Sequence, residues 1–140
     1  MQAFIDTSTL VKKYKAEPGR DKLLQWLNTA DEIIISPITY FELICTIRRE
    51  FETHKRGDKE FHKIFKEIDI DFGYFHKVSL NEELHRAAFD IRKRYRLKSL
   101  DLIQMASARI SQSKIFLTSD KVLYKIGLKE LKNHRVELIL

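Results

Sequence analysis

The chain has one cysteine, two prolines and four glycines among 140 residues. A single thiol excludes an intrachain disulfide and fits a reducing compartment. None of the five histidines, at positions 54, 62, 76, 85 and 134, pairs with another at metal-ligand spacing or joins the cysteine in a zinc pattern. No glycine-rich phosphate loop is present, which weighs against nucleotide binding of the P-loop or Rossmann kind. No segment approaches the ~18–20 uninterrupted apolar residues of a membrane span. Nor does a basic region followed by an apolar one mark a signal peptide, so a cytoplasmic protein with no membrane partner is expected. Repeats, low-complexity tracts and Pro/Ser-rich linkers are also missing, and residues 1–140 are expected to form a single domain.

What is there is ordinary for a globular protein: 44% hydrophobic and 33% charged residues. Lys and Arg number 26 against 20 Asp and Glu, a net charge of +6. That excess suits a polyanion, although charge alone speaks only to non-specific attraction and solubility.

Short apolar runs at Gln2–Ile5, Ile33–Ile35, Lys114–Thr118 and Val136–Leu140 read as buried strands, with another short one between Tyr74 and Ser79. Helical spacing fills the intervals. A short helix capped by Ser8 or Thr9 runs to about Tyr14, and Leu23, Leu24 and Leu27 continue the pattern to about Ala30. After Pro37 comes a helix with Phe41, Ile44, Cys45 and Ile47; after the turn at Lys55–Asp58 comes one with Phe61, Ile64, Phe65 and Ile68. Asn81 caps a helix with Leu84, Ala87, Ala88, Ile91 and Tyr95, Asp101 opens another, and Asp120 precedes the last. Cys45, among apolar neighbours, reads as a buried thiol. Alternating strands and helices predict an α/β fold, a mostly parallel sheet of about five strands covered by helices on both faces. Two helices fall between the second and third strands and leave room for a projecting arm or clip.

Four acids stand out. Asp6 and Asp120 each follow an apolar strand, so both are expected at the carboxyl edge of the sheet, where α/β proteins bind ligands. Glu42 and Asp101 sit in the first turns of helices that can begin at that edge. Each also has a plainer reading, as a helix cap, a dipole partner or a solvated residue. Together they would raise one another's pKa unless a cation balances them, and Mg²⁺ or Mn²⁺ is the natural one for an all-oxygen cluster. Such a site activates water and stabilises the oxyanions of an in-line displacement at phosphorus. Ser8 and Thr118, like Thr7, are hydroxyls placed to orient a carboxylate or serve the turn.

Asp6-Thr7-Ser8 after the opening strand resembles the first motif of PIN-domain nucleases. Ser36-Pro37-Ile38-Thr39-Tyr40-Phe41-Glu42-Leu43 resembles their second acid. Ser99-Leu100-Asp101-Leu102-Ile103-Gln104-Met105-Ala106 looks like the central Asp motif, and Leu117-Thr118-Ser119-Asp120 like the last. Val122 stands where many members carry a further acid, and Leu102 where a small residue often follows the central Asp. The compact length resembles the VapC-like toxins of toxin–antitoxin pairs. The resemblance implies the three-layer α/β/α sandwich of that family and a metal-dependent endoribonuclease. It implies Asp6, Glu42, Asp101 and Asp120 as catalytic metal ligands, a cognate antitoxin partner and a homodimer. The alternative on the same fold is an inactive PIN-like module that binds RNA or protein.

The basic run Arg92, Lys93, Arg94, Arg96 and Lys98 leads directly to Asp101. Cations beside an acidic metal site suit an RNA backbone; the plainer reading is a solvated helix end. Lys12, Lys13 and Lys15 are a second candidate surface.

Overall fold

A computed structural model describes all residues from Met1 to Leu140. Its five strands are β1 (Gln2–Ile5), β2 (Glu32–Ile35), β3 (His76–Lys77), β4 (Ile115–Thr118) and β5 (Arg135–Leu138). They form one fully parallel sheet in the order β3-β2-β1-β4-β5. Seven helices connect them: α1 (Thr7–Leu10), α2 (Arg20–Thr29), α3 (Thr39–Thr53), α4 (Asp58–Tyr74), α5 (Glu82–Arg94), α6 (Ser99–Ile110) and α7 (Lys121–Glu130). No helix is long and apolar enough to cross a membrane.

Alternation along each strand divides the core in two. Ala3, Ile5, Ile33, Ile35, Ile115 and Leu117 point to one face, where they meet Leu10, Leu23, Leu43, Ile47, Phe51, Ile68 and Phe72. Phe4, Ile34 and Phe116 point to the other and pack on Leu84, Ala87, Ile91, Met105, Ala106, Leu123 and Ile126. This is the expected three-layer sandwich: a parallel strand buried on both sides needs apolar residues at every position. Helix α7 lies especially close to the sheet at Gly127, where a Cβ would stand 3.3 Å from both Phe116 Cδ1 and Val136 Cγ1.

Four expectations are corrected. Helices α3 and α4 are not a free arm, because Leu43, Ile47 and Phe51 from one and Ile68 and Phe72 from the other join the same core cluster. Cys45 is exposed rather than buried. At ~100° per residue it falls opposite the Leu43–Ile47–Phe51 face. Neither Ser8 nor Thr9 caps α1; Asp6 does, in keeping with the plainer reading of that acid, accepting from the Thr9 amide at 3.2 Å. Finally, Lys12, Lys13 and Lys15 are not a free cationic surface. Lys12 is buried against Glu17 (3.1 Å), Lys13 pairs with Glu67 and Asp71, and Lys15 with Glu17 and Glu50.

Candidate active site

The strand order reverses direction at β1, with β2 on one side and β4 on the other. A crevice opens beyond the carboxyl ends of strands that diverge in this way. Asp6 is the first residue after β1, and its amide still donates to Leu117 O at 3.1 Å. Asp120 follows β4 by two residues. The two acids therefore flank the reversal point, one from each adjoining strand.

Asp6 is 1% exposed, and protein groups bond both its oxygens. Ser8 Oγ donates to Oδ1 and Thr118 Oγ1 to Oδ2, each at 2.6 Å. Burial pushes its pKa up to about 6, against the opposing pull of the Ser8, Thr118 and Thr9 bonds, and the nearby Asp120 charge adds to the rise. Asp120 caps α7, its Oδ1 accepting from the Val122 and Leu123 amides at 2.7 and 3.0 Å. Thr118 links the two acids: its hydroxyl donates to Asp6 and accepts from the Asp120 amide at 3.1 Å. The Ser119 amide bonds Ser8 Oγ at 3.1 Å, and Ser119 Oγ lies 2.9 Å from Thr9 Oγ1, which ties the loop after β4 to the start of α1.

Glu42 lies in the first turn of α3 and Asp101 in the first turn of α6. Glu42 Oε1 accepts from Thr7 Oγ1 at 2.9 Å and from Gln104 Nε2 at 2.8 Å. Asp101 is half-buried, and its pKa is raised first by that burial, then by Asp120 and Glu42, with Lys98 opposing. Coulombic repulsion thus joins Asp6 to Asp120, Asp120 to Asp101 and Asp101 to Glu42. No three carboxylate, histidine or cysteine side chains are grouped tightly enough to hold an ion as they stand. The donor set nevertheless suits a hard divalent cation: all oxygen, with two of the four carboxyls raised in pKa first by burial and then by their acidic neighbours.

Gln104 was not singled out by the sequence. It is 3% exposed and sits one turn after Asp101 on α6, a spacing that could have flagged it. Its amide nitrogen reaches Glu42 Oε1, Thr7 Oγ1 (2.8 Å) and Thr39 Oγ1 (3.2 Å), pinning α3 and α1 to α6. Gln104→Leu keeps the volume and removes the donors, and hydrogen bonds to charged acceptors are worth about 1.5–3 kcal/mol. A loss of that size is expected in urea denaturation, and an unchanged midpoint would show that the amide positions nothing.

The basic run divides. Arg94 is engaged by Asp90 (3.1 Å) and Glu130, and Arg109 joins the same two acids at 2.6 and 3.0 Å. Lys93 lies 3.7 Å from Asp90 and over the Phe89 ring. Arg92, Arg96 and Lys98 are exposed and make no ion pair.

The sequence profile of the PIN domain family matches residues 3–129. Among solved structures, the fold is similar to VapBC2 from Rickettsia felis bound to a DNA fragment from its promoter. That alignment has a TM-score of 0.67 and 17% identity, over 99% of this chain and 98% of that one. VapBC-1 from nontypeable Haemophilus influenzae aligns with a TM-score of 0.68 and 15% identity, over 99% and 98% of the two chains. A toxin–antitoxin complex from Klebsiella pneumoniae aligns with a TM-score of 0.63 and 18% identity, over 84% and 86%. No protein of curated function matches the sequence. The structural likenesses show a shared fold, and the family profile spans nearly the whole chain: this protein belongs to the PIN domain family.

Proposed function

We propose that this protein is a divalent-metal-dependent endoribonuclease that hydrolyses RNA phosphodiester bonds, the VapC-like toxin of a toxin–antitoxin pair. The observation that carries the reading is a run of four carboxylates from four different segments in which Asp120 repels both Asp6 and Asp101, and Glu42 repels Asp101. A fold gains nothing in stability from such an arrangement, and pKa values perturbed in this way are typical of functional sites. Membership of a family of nucleases supports hydrolysis, and similarity to a toxin–antitoxin complex supports a small antitoxin partner.

In this reading Asp6, Asp101, Asp120 and Glu42 hold Mg²⁺ or Mn²⁺. The ion supplies Lewis acidity and charge neutralisation when bound. Thr118 and Ser8 fix both oxygens of Asp6, so that this carboxylate is oriented before substrate arrives. Gln104 and Thr7 hold one oxygen of Glu42 and so orient that carboxylate. Arg92, Arg96 and Lys98 bind the RNA backbone beside Asp101, with Lys93 and the paired Arg94 contributing at the margin. The protein works in the cytoplasm as a homodimer.

The deciding measurement is cleavage of structured and unstructured RNA in Mg²⁺, Mn²⁺ or EDTA, with calorimetric titration of each ion. Cleavage is expected only with an ion present. Neither cleavage nor ion binding would favour the alternative, an inactive PIN-like module that binds RNA or protein.

A further inference from the structure

Helix α3 carries two opposed faces. Leu43, Ile47 and Phe51 turn inward, whereas Ile38, Phe41, Glu42, Cys45 and Arg49 follow one outward stripe. With Leu100, at the start of α6, that stripe lines an open and largely apolar cleft of about 320 Å³. Phe41 immediately precedes Glu42, and Leu100 immediately precedes Asp101, so the apolar walls of the cleft adjoin two of the four site acids. Phe41 is 67% exposed and its one aromatic contact is a T-shaped one with Tyr40, centroids 6.1 Å apart. Most of the ring is therefore free. The comparably exposed Phe89, by contrast, has the Lys93 ammonium 5.5 Å from its centroid.

The two ends of the cleft differ in charge. Ile38, Phe41 and Leu100 form one end, bordered by Glu42, which repels a carboxylate or free phosphate unless a cation intervenes. Arg49 stands at the other, about 10 Å along the helix. Unlike its neighbour Arg48, which bonds Glu52 and Asp58, Arg49 makes no ion pair. A flat, neutral, aromatic group fits the end at Ile38, Phe41 and Leu100, and an anion fits the end at Arg49. Unpaired bases stack on aromatic side chains in just this setting, with cations tracking the backbone.

Building on the nuclease reading, we propose that this cleft is a nucleobase subsite: an unpaired RNA base beside the scissile phosphate stacks on Phe41 against Leu100 and Ile38, while Arg49 holds a neighbouring phosphate. Phe41 is then a determinant of substrate choice rather than a catalytic residue. It would confine cleavage to RNA in which a base can be splayed out next to the reacting bond.

The test is an NMR titration of Ile/Leu methyl-labelled protein with each of the four nucleoside 5′-monophosphates, and with ribose 5-phosphate as the baseless control. Saturable upfield shifts of the Leu100 and Ile38 methyls are expected with at least one nucleotide and not with ribose 5-phosphate. Phe41→Ala should weaken that binding about tenfold or more. Phe41→Trp should preserve it, and Phe89→Ala should leave it unchanged. Core methyls such as Leu43 and Ile47 report that each variant is folded. Silence from all four nucleotides, or equal binding by Phe41→Ala, overturns the proposal and leaves the cleft to a protein partner. Metal-dependent cleavage by the wild type is measured alongside. Cleavage with a silent titration removes the subsite alone, whereas nucleotide binding without any cleavage removes the nuclease reading and the substrate subsite with it.

Discussion

Asp101→Asn is expected to reduce metal-dependent RNA cleavage by about 10³-fold or more, on the scale of losing one principal electrostatic contact in a transition state. The structure explains why the fold should survive. The Asp101 carboxylate makes no hydrogen bond within the protein, and its charge is opposed by burial, by Asp120 and by Glu42, with only Lys98 in its favour. An amide of the same shape removes that repulsion, and nothing else depends on the lost charge. The check is single-turnover cleavage in Mn²⁺ together with thermal unfolding followed by circular dichroism. A variant that unfolds at the wild-type temperature or above and does not cleave supports the assignment. Full activity in a clean preparation would mean that Asp101 is not in the site.

Asp6→Asn should separate stability from activity more sharply. The Asp6 carboxyl stands at about 6 in the folded protein against an ordinary value of 3.8, so the folded state holds its proton more tightly than the unfolded state does. A group raised in this way stabilises the fold while protonated. The contribution is fully present below about pH 4 and is lost as pH rises through about 6. The shift of about two units corresponds to roughly 3 kcal/mol at most. Asparagine never ionises, and its amide can accept from one of the two hydroxyls that serve Asp6 while the other reorients. In EDTA the variant should therefore exceed the wild type by up to roughly 3 kcal/mol at pH 7.5 and match it near pH 4, as read from urea midpoints. It should also fail to cleave. A variant no more stable than wild type at pH 7.5 would show that Asp6 ionises in the folded protein without cost. The site is thus a local liability: the fold tolerates carboxyl burial and carboxylate repulsion that a bound cation would offset, as expected where function and stability compete.

Much of this was legible in the chain itself. Uninterrupted apolar triplets such as Ala3-Phe4-Ile5 and Ile33-Ile34-Ile35 can only be buried on both faces, which requires helices above and below and hence a parallel sheet. Acids immediately after such runs must emerge at the carboxyl edge, so the positions of Asp6 and Asp120 followed from the strands. Caps were less legible. Asp6, Ser8 and Thr9 all have capping chemistry, and only the path of the backbone out of β1 selects Asp6. The environment of Cys45 depended on the phase of α3, which a sequence rich in apolar residues on several sides leaves open.

Charge was the least legible property. Lysines at positions 12, 13 and 15 look free in sequence, yet they meet Glu17, Glu50, Glu67 and Asp71, residues that are distant along the chain for all but the first. Arg94 is engaged in the same way by Glu130, 36 residues away. The sequence by itself determined the layered α/β fold and the place of Asp6 and Asp120 at the carboxyl edge, because burial on both faces and side-chain periodicity are local properties of each segment. Only the tertiary structure decided the strand order, with its reversal at β1, the bridging of Asp6 and Asp120 by Thr118, and the grip of Gln104 on Glu42. Each of these joins groups far apart in the chain, and a hydrogen bond or an ion pair exists only where folding brings its two partners to within a few ångströms.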